Sequence, residues 1–184
     1  MTNEEIIMEG QLRECYGRVV YSHKTHEKCA DILMRNHEYI KLAHIGFSVL
    51  ITGGIVTTLL SDSKAGVIIS AILSTIVLFL NTYTKNYDLG ELAQKHRQAA
   101  ADLWVIREEY LSLLTDVRIS DLPLDVIRAR RDELMKKLHA AYTGAPGTGL
   151  KAYTAAQKAL QQQEDLTFTE DEIDAFLPKE LKRK

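Results

Sequence analysis

The chain has 184 residues, of which 23 are basic and 25 acidic, and its formal net charge is −2 at pH 7. This near-neutral balance excludes the strongly basic class of nucleic-acid-binding proteins, so no direct nucleic-acid partner is predicted. Cys15 and Cys29 are too few for a disulfide framework and are expected to be reduced thiols. A cleavable signal peptide is not expected, because the first residues are acidic and the first apolar run begins near residue 42.

Residues 1–41 are predicted to form an N-terminal helix that continues into the first apolar run. Apolar and histidine side chains follow one another at alternating steps of three and four residues, which is the spacing of a heptad seam. The seam comprises Leu12, Tyr16, Val19, His23, His26, Ala30, Leu33, His37, Ile40 and His44. No proline interrupts residues 1–122, so a single long helix is expected here.

Residues 42–84 contain two apolar runs, 42–61 and 65–84, and neither run has a charged side chain. Each run is about 20 residues long, which matches a hydrocarbon core of about 30 Å. The residues between the runs, 61–64, are too few for anything but a tight antiparallel turn, so we predict a transmembrane helical hairpin. The alternative is a buried hairpin in a soluble helical bundle.

Small and hydroxylated residues mark the contact faces of this predicted hairpin, because small side chains let helix backbones approach closely in lipid. The candidates are Gly53, Gly54, Gly66, Ser70, Ser74 and Asn81. One interpretation is packing of the hairpin against itself or against copies of itself. The other is the lining of a pore built from several hairpins, because a single hairpin encloses no channel.

Basic residues flank the hairpin, whereas the turn offers only Lys64. The positive-inside rule therefore predicts that both termini lie in the cytoplasm. Residues 85–118 are predicted to form a second stalk helix, with a seam at Leu89, Leu92, His96, Ala99, Leu103, Ile106, Tyr110 and Leu113. The two helices are expected to pack along their seams as an antiparallel coiled coil in which His96 lies near Ala30.

Five of the six histidines lie on these seams, and His23, His26 and His96 are expected within about two helical turns of one another. They could be structural seam residues, a pH-sensitive element or metal ligands, with His37 further along the same seam. Their spacing matches no established ligand motif, so no metal and no cofactor are predicted.

Residues 119–184 are predicted to form short cytosolic helices. Residues 120–123 provide a helix entry, residues 143–149 form a flexible breaker, and Thr169 with Glu172 forms a capping box. The region ends in a basic tail, residues 178–184. No nucleophile with its base, phosphate-binding loop or paired acid cluster is recognisable, so the chain is predicted to be non-enzymatic.

The segments YSHKTHEKCADILMRNHEYIKLAHIG and KNYDLGELAQKHRQAAADLWVIREEYLSLL, on either side of the hairpin, resemble the SLATT family. These are bacterial two-transmembrane effector domains associated with SMODS nucleotidyltransferases and SLOG sensors, and the chain is most similar to the fifth subfamily. The resemblance implies an inner-membrane effector of an anti-phage system that oligomerises on a signal and damages the membrane, stopping growth. It also implies a separate sensor or nucleotide-signalling protein encoded nearby.

Two other functions remain open from the sequence. A constitutive membrane scaffold that recruits a soluble partner through its stalk would share every feature described so far. A small regulated ion channel is the third possibility, although the spans carry no ring of charged residues that would form a selective filter.

Overall fold

The computed structural model describes residues 3–60, 64–119, 122–178 and 182. These residues form six helices: α1 (Asn3–Leu60), α2 (Ala65–Asn86), α3 (Leu89–Ile119), α4 (Leu124–Gly144), α5 (Leu150–Gln162) and α6 (Glu170–Phe176). The described residues include no strand. Most of the predicted turn between the apolar runs, residues 61–63, lies outside the described residues, as do Ser120 and Asp121 of the predicted entry to α4 and most of the basic tail.

Two apolar helical segments, the C-terminal part of α1 and α2, are long and apolar enough to cross a membrane. Their side chains point outward: Leu60 is 83% exposed and Phe79 is 72% exposed, and Ser70 is the buried residue of α2. A hairpin in a soluble core would bury these side chains, so the soluble-bundle alternative is wrong. The fold is that of an all-α membrane protein.

α1 is a single helix of 58 residues, roughly 87 Å long, that joins the predicted N-terminal helix to the first span without a break. The second span, by contrast, is separated from its stalk helix by a short break. α2 ends at Asn86, and α3 begins only at Leu89 after an extended Tyr87 with ψ of 84°. The side chain of Asp88 explains the new start, because its Oδ1 accepts a hydrogen bond of 2.9 Å from the backbone N–H of Glu91.

Replacing Asp88 by alanine is expected to lower the stability of α3 by about 1 kcal/mol, because the Glu91 N–H loses its acceptor. For a chain of this size the unfolding midpoint should fall by about 2–4 °C in a thermal melt followed by circular dichroism. Asp88→Asn keeps a capping oxygen and should stay close to the wild-type midpoint. Equal midpoints for Asp88→Ala and wild type would show that the cap does not determine the start of α3.

The stalk is the bundle of α3 to α5 around the N-terminal part of α1, and it is built on the antiparallel pairing of α1 with α3. Its core consists of Met8, Leu12, Val19, Leu103, Ile106, Tyr110, Leu113, Val117, Ile127 and Leu134. α4 closes the membrane-distal end of the bundle. It is fixed there by ion pairs of 2.8 Å between Arg130 and Asp116 and between Lys137 and Glu109.

α5 lies against the middle of α1 through a buried face of three alanines, Ala152, Ala156 and Ala159. The Tyr153 ring stacks on Tyr21 with centroids 5.9 Å apart. The predicted breaker separates α4 from α5, and the predicted capping box at Thr169 is confirmed at the start of α6. Two helices of the C-terminal region, α4 and α5, are therefore part of the stalk, and α5 lies close to the level of the buried histidines.

Candidate functional site

The two spans meet most closely at Gly54 and Gly66. A Cβ atom at Gly54 would lie 3.0 Å from the Gly66 carbonyl oxygen, and one at Gly66 would overlap both the Gly54 carbonyl oxygen and Thr58 Oγ1. Only glycine fits at Gly66 without a shift of the backbone, because the overlapping oxygen belongs to a main chain. Helix packing through such small residues is typical of membrane proteins.

Two polar contacts join the helices on the stalk side of these glycines. Ser70 Oγ donates to the carbonyl oxygen of Ile51 at 3.1 Å, across the two helices. Nearer the stalk, His44 Nε2 lies 2.7 Å from Asn81 Oδ1. The amide and the imidazole therefore bond to each other across the two helices, which lowers the cost of placing either polar group near lipid.

The six candidate span residues fall into two groups. Gly54, Gly66, Ser70 and Asn81 lie at contacts between the two helices of the hairpin. Gly53 and Ser74 are exposed on its outer surface, and a Cβ atom at Gly53 would meet nothing within 4 Å. The hairpin therefore uses one set of small residues internally and leaves another available to lipid or to a neighbouring helix.

In the stalk, His23, His26 and His96 are buried between α1 and α3. His26 Nδ1 lies 2.9 Å from His96 Nδ1, and the ring centroids are 5.1 Å apart. One nitrogen of this pair must donate and the other accept, so the contact requires that at least one ring be neutral. The predicted partner of His96, Ala30, lies about one helical turn further along α1, so the expected register is shifted at this level.

Burial lowers the pKa of all three imidazoles. The pKa of His26 falls to about 4, first through burial and then through the proximity of His96 and His23. Burial lowers the pKa of His23 against the opposing attraction of Glu27, and burial alone lowers the pKa of His96. The three rings are therefore neutral at pH 7 and pack in the core of the stalk as uncharged side chains.

His37 is separate from this cluster and lies beside Gly90, where α3 begins. Among the described residues, no group of three or more histidine, cysteine, aspartate or glutamate side chains is arranged to hold a metal ion. The Nδ1 atom of His23 has no hydrogen-bond partner in the described structure. The geometry thus brings three of the four predicted stalk histidines together as a buried polar layer.

The sequence did not reveal the contacts that α1 makes with α5 and with the segment after it. Gln161 Nε2 donates to the Tyr21 hydroxyl at 2.7 Å, and Lys24 Nζ bridges Glu27 and Asp165 at 2.9 Å each. Burial alone would lower the pKa of Lys24, but its hydrogen bonds to these two carboxylates outweigh burial and raise it. The alanines at positions 152, 156 and 159 are the one local signal that α5 packs closely on another helix.

The family model of the SMODS and SLOG-associating 2TM effector domain family 4 matches residues 8–172. The predicted similarity to the fifth subfamily is therefore wrong, because the matching model is that of the fourth. No curated protein and no solved structure matches the chain. The matched region runs from the first turns of α1 to α6 and includes the apolar hairpin, the buried histidines and α5. The chain therefore belongs to the SMODS and SLOG-associating two-transmembrane effector domain family, family 4.

Proposed function

We propose that this protein is a bacterial inner-membrane effector of an anti-phage system that assembles in response to a signal and breaches the membrane. Family membership supports the effector role, because the domain is a two-transmembrane effector associated with conflict systems. The expected outcome of activation is loss of the membrane potential, followed by growth arrest or cell death.

The observation that carries the proposal is the outer face of the hairpin. The contact at Gly54 and Gly66 closes the hairpin on itself, so two helices alone leave no aqueous path. Gly53 is exposed with open space around it, and Gly46, two turns earlier on the same side of α1, is equally open. Such notches allow a helix of a second copy to approach closely, which favours assembly of several hairpins.

The proposed orientation places the stalk and both termini in the cytoplasm. Lys28, Arg35 and Lys41 precede the first span, and Lys85 follows the second, whereas Lys64 is the basic residue of the turn. This asymmetry follows the positive-inside rule for short loops. A cytoplasmic stalk would be accessible to a sensor or nucleotide-signalling protein encoded nearby, which we propose as the partner that activates assembly.

The proposed mechanism is a change in how the stalk helices pack. α1 is continuous from the stalk to the end of the first span, so rotation of its stalk part is carried into the bilayer. A partner can shift this equilibrium only by binding the assembled state more tightly than the resting state. The break at Tyr87 and Asp88 means that α2 is less rigidly coupled to the stalk than α1.

The experiment is expression in bacteria with the neighbouring genes, followed by phage challenge and a membrane-potential dye. Wild-type protein should depolarise the cells, whereas Gly53→Leu with Ser74→Leu should reduce the depolarised fraction to that of an empty vector. The two substitutions fill the outer face without entering the contact between α1 and α2.

Val49→Leu is the matched control, because Val49 is 66% exposed on the same span and its replacement fills no glycine notch. It should depolarise cells like wild type, and all variants should be recovered in the membrane fraction. Absence of depolarisation and growth arrest by the wild-type protein under phage challenge would contradict the effector proposal and favour a constitutive scaffold.

A further inference from the structure

A basic cleft lies between α1 and α5, on the part of α1 that leads to the membrane. Lys28 and Arg35 of α1 and Lys151 and Lys158 of α5 line a cavity of about 500 Å³. The one carboxylate that lines it with them is Asp31. Four cationic side chains and one anionic side chain thus share one opening.

No described carboxylate lies within ion-pair distance of any of these four cations. The nearby Asp165 attracts Lys28 at longer range, but its carboxylate is already held by Lys24 at 2.9 Å. By contrast, Lys137 of α4 is paired with Glu109 at 2.8 Å. The excess positive charge of the basic cleft is therefore not neutralised by the described protein.

The fold forces these like charges together. α5 is held against α1 by its alanine face and by the stack of Tyr153 on Tyr21, so the cations of both helices must face the same cavity. Like charges at close range repel each other, and the positive end of the α5 dipole near Leu150 adds to the field at Lys151. An anion with several acceptor oxygens would relieve this repulsion, and phosphate groups suit clustered arginine and lysine side chains.

We propose that the basic cleft binds a phosphate-bearing anion, which bridges α1 and α5. The group is supplied either by a soluble phosphate compound or by the headgroup of an anionic phospholipid. Arg35 lies about 10 Å along α1 from Leu42, and Lys28 about 21 Å from it. The headgroup layer extends about 5–8 Å beyond the hydrocarbon core, so the Arg35 end lies near it and the Lys28 end opens to water.

The bound anion would fasten α5 to the helix that enters the bilayer. Two of the four cations belong to each helix, so neutralising them strengthens the contact between α1 and α5. This inference is independent of the proposed membrane damage, because binding is measured without any breach of a membrane. Anion binding by a protein that does not depolarise cells would support the basic cleft and contradict the effector proposal. Depolarisation by a protein that binds no anion would do the opposite.

The test uses the full chain in detergent micelles titrated with inorganic tripolyphosphate in a calorimeter. Lys151→Gln with Lys158→Gln should weaken binding about tenfold, because two charge-assisted contacts are lost. Both lysines are exposed at the edge of the buried alanine face, so circular dichroism should be unchanged. The matched control is Arg97→Gln on α3 with Lys136→Gln on α4, which removes the same charge at exposed positions outside the cleft and should change affinity less than about twofold.

The lipid source is tested in nanodiscs of phosphatidylcholine, alone or with phosphatidylglycerol. Exposed arginines are modified with phenylglyoxal, and the modification of each is measured by mass spectrometry. Protection of Arg35 that requires phosphatidylglycerol and disappears in the Lys151→Gln, Lys158→Gln protein identifies the headgroup as ligand. Saturable tripolyphosphate binding without such protection identifies a soluble phosphate compound, and both results together show that the cleft accepts either. Absence of both, or equal losses in the cleft and control variants, would overturn the proposal.

Discussion

Replacing Gly66 by leucine is expected to force the two spans apart and to destabilise the hairpin by about 1–3 kcal/mol or more. The first atom of the new side chain would overlap Thr58 Oγ1 and the Gly54 carbonyl oxygen. The threonine hydroxyl can rotate away, but the carbonyl belongs to the backbone of α1 and can move only with the helix. Separation would also lengthen the bond from Ser70 to the Ile51 carbonyl, which is 3.1 Å in the intact hairpin.

The separation can be measured as a distance between spin labels in nanodiscs. Ile45→Cys and Phe79→Cys place the labels at positions that are 62% and 72% exposed, after the native cysteines have been replaced by alanine. Gly66→Leu should shift the distance distribution to longer values and broaden it. Gly53→Leu is the matched control, because a Cβ there meets nothing within 4 Å and the distribution should not change. An unchanged distance in Gly66→Leu would mean that Gly54 and Gly66 are not the closest contact.

The sequence predicted the spans well, because their signal is local. A run of about 20 apolar residues without charge has few alternatives to crossing a bilayer. The same logic identified small residues as contact residues, but it could not separate Gly54 from Gly53. Adjacent residues on a helix differ by about 100° in direction, so their roles depend on the rotation of α1 about its axis. That rotation is set by contacts with α2 that no local pattern encodes.

The features that the sequence did not predict depend on contacts between distant segments or on a single side chain. The start of α3 is fixed by Asp88, whose capping role is visible only once the backbone of Glu91 is in place. The pairing of His26 with His96, where heptad spacing predicts Ala30, depends on how far α1 and α3 are displaced along each other. The basic cleft joins segments of α1 and α5 that lie far apart in sequence, and heptad spacing says nothing about such a pairing.

Acidification is expected to destabilise the stalk because its histidines are buried as neutral rings. In the unfolded chain His26 has the ordinary pKa of 6.5, whereas in the folded protein its pKa is about 4. Between these two values the unfolded chain binds more protons than the folded chain, so the free energy of unfolding falls as pH falls. For His26 alone the loss between pH 7 and pH 5 is about 2 kcal/mol, and the lowered pKa values of His23 and His96 act in the same direction.

This loss should appear as a fall of about 4–8 °C in the unfolding midpoint between pH 7 and pH 5. Replacing both His26 and His96 by leucine removes the titrating pair and leaves no partner unsatisfied, so most of the pH dependence should disappear. His139→Asn removes an exposed histidine of α4 and should keep the wild-type pH dependence. Carboxylates gain protons mainly below pH 5, so they contribute little to this change. A wild-type midpoint that stays constant down to pH 5 would contradict the prediction, because it would show that the imidazoles take up protons without unfolding of the stalk. A fall in the wild type that the leucine pair abolishes would instead place the acid sensitivity of the stalk in the layer formed by His23, His26 and His96.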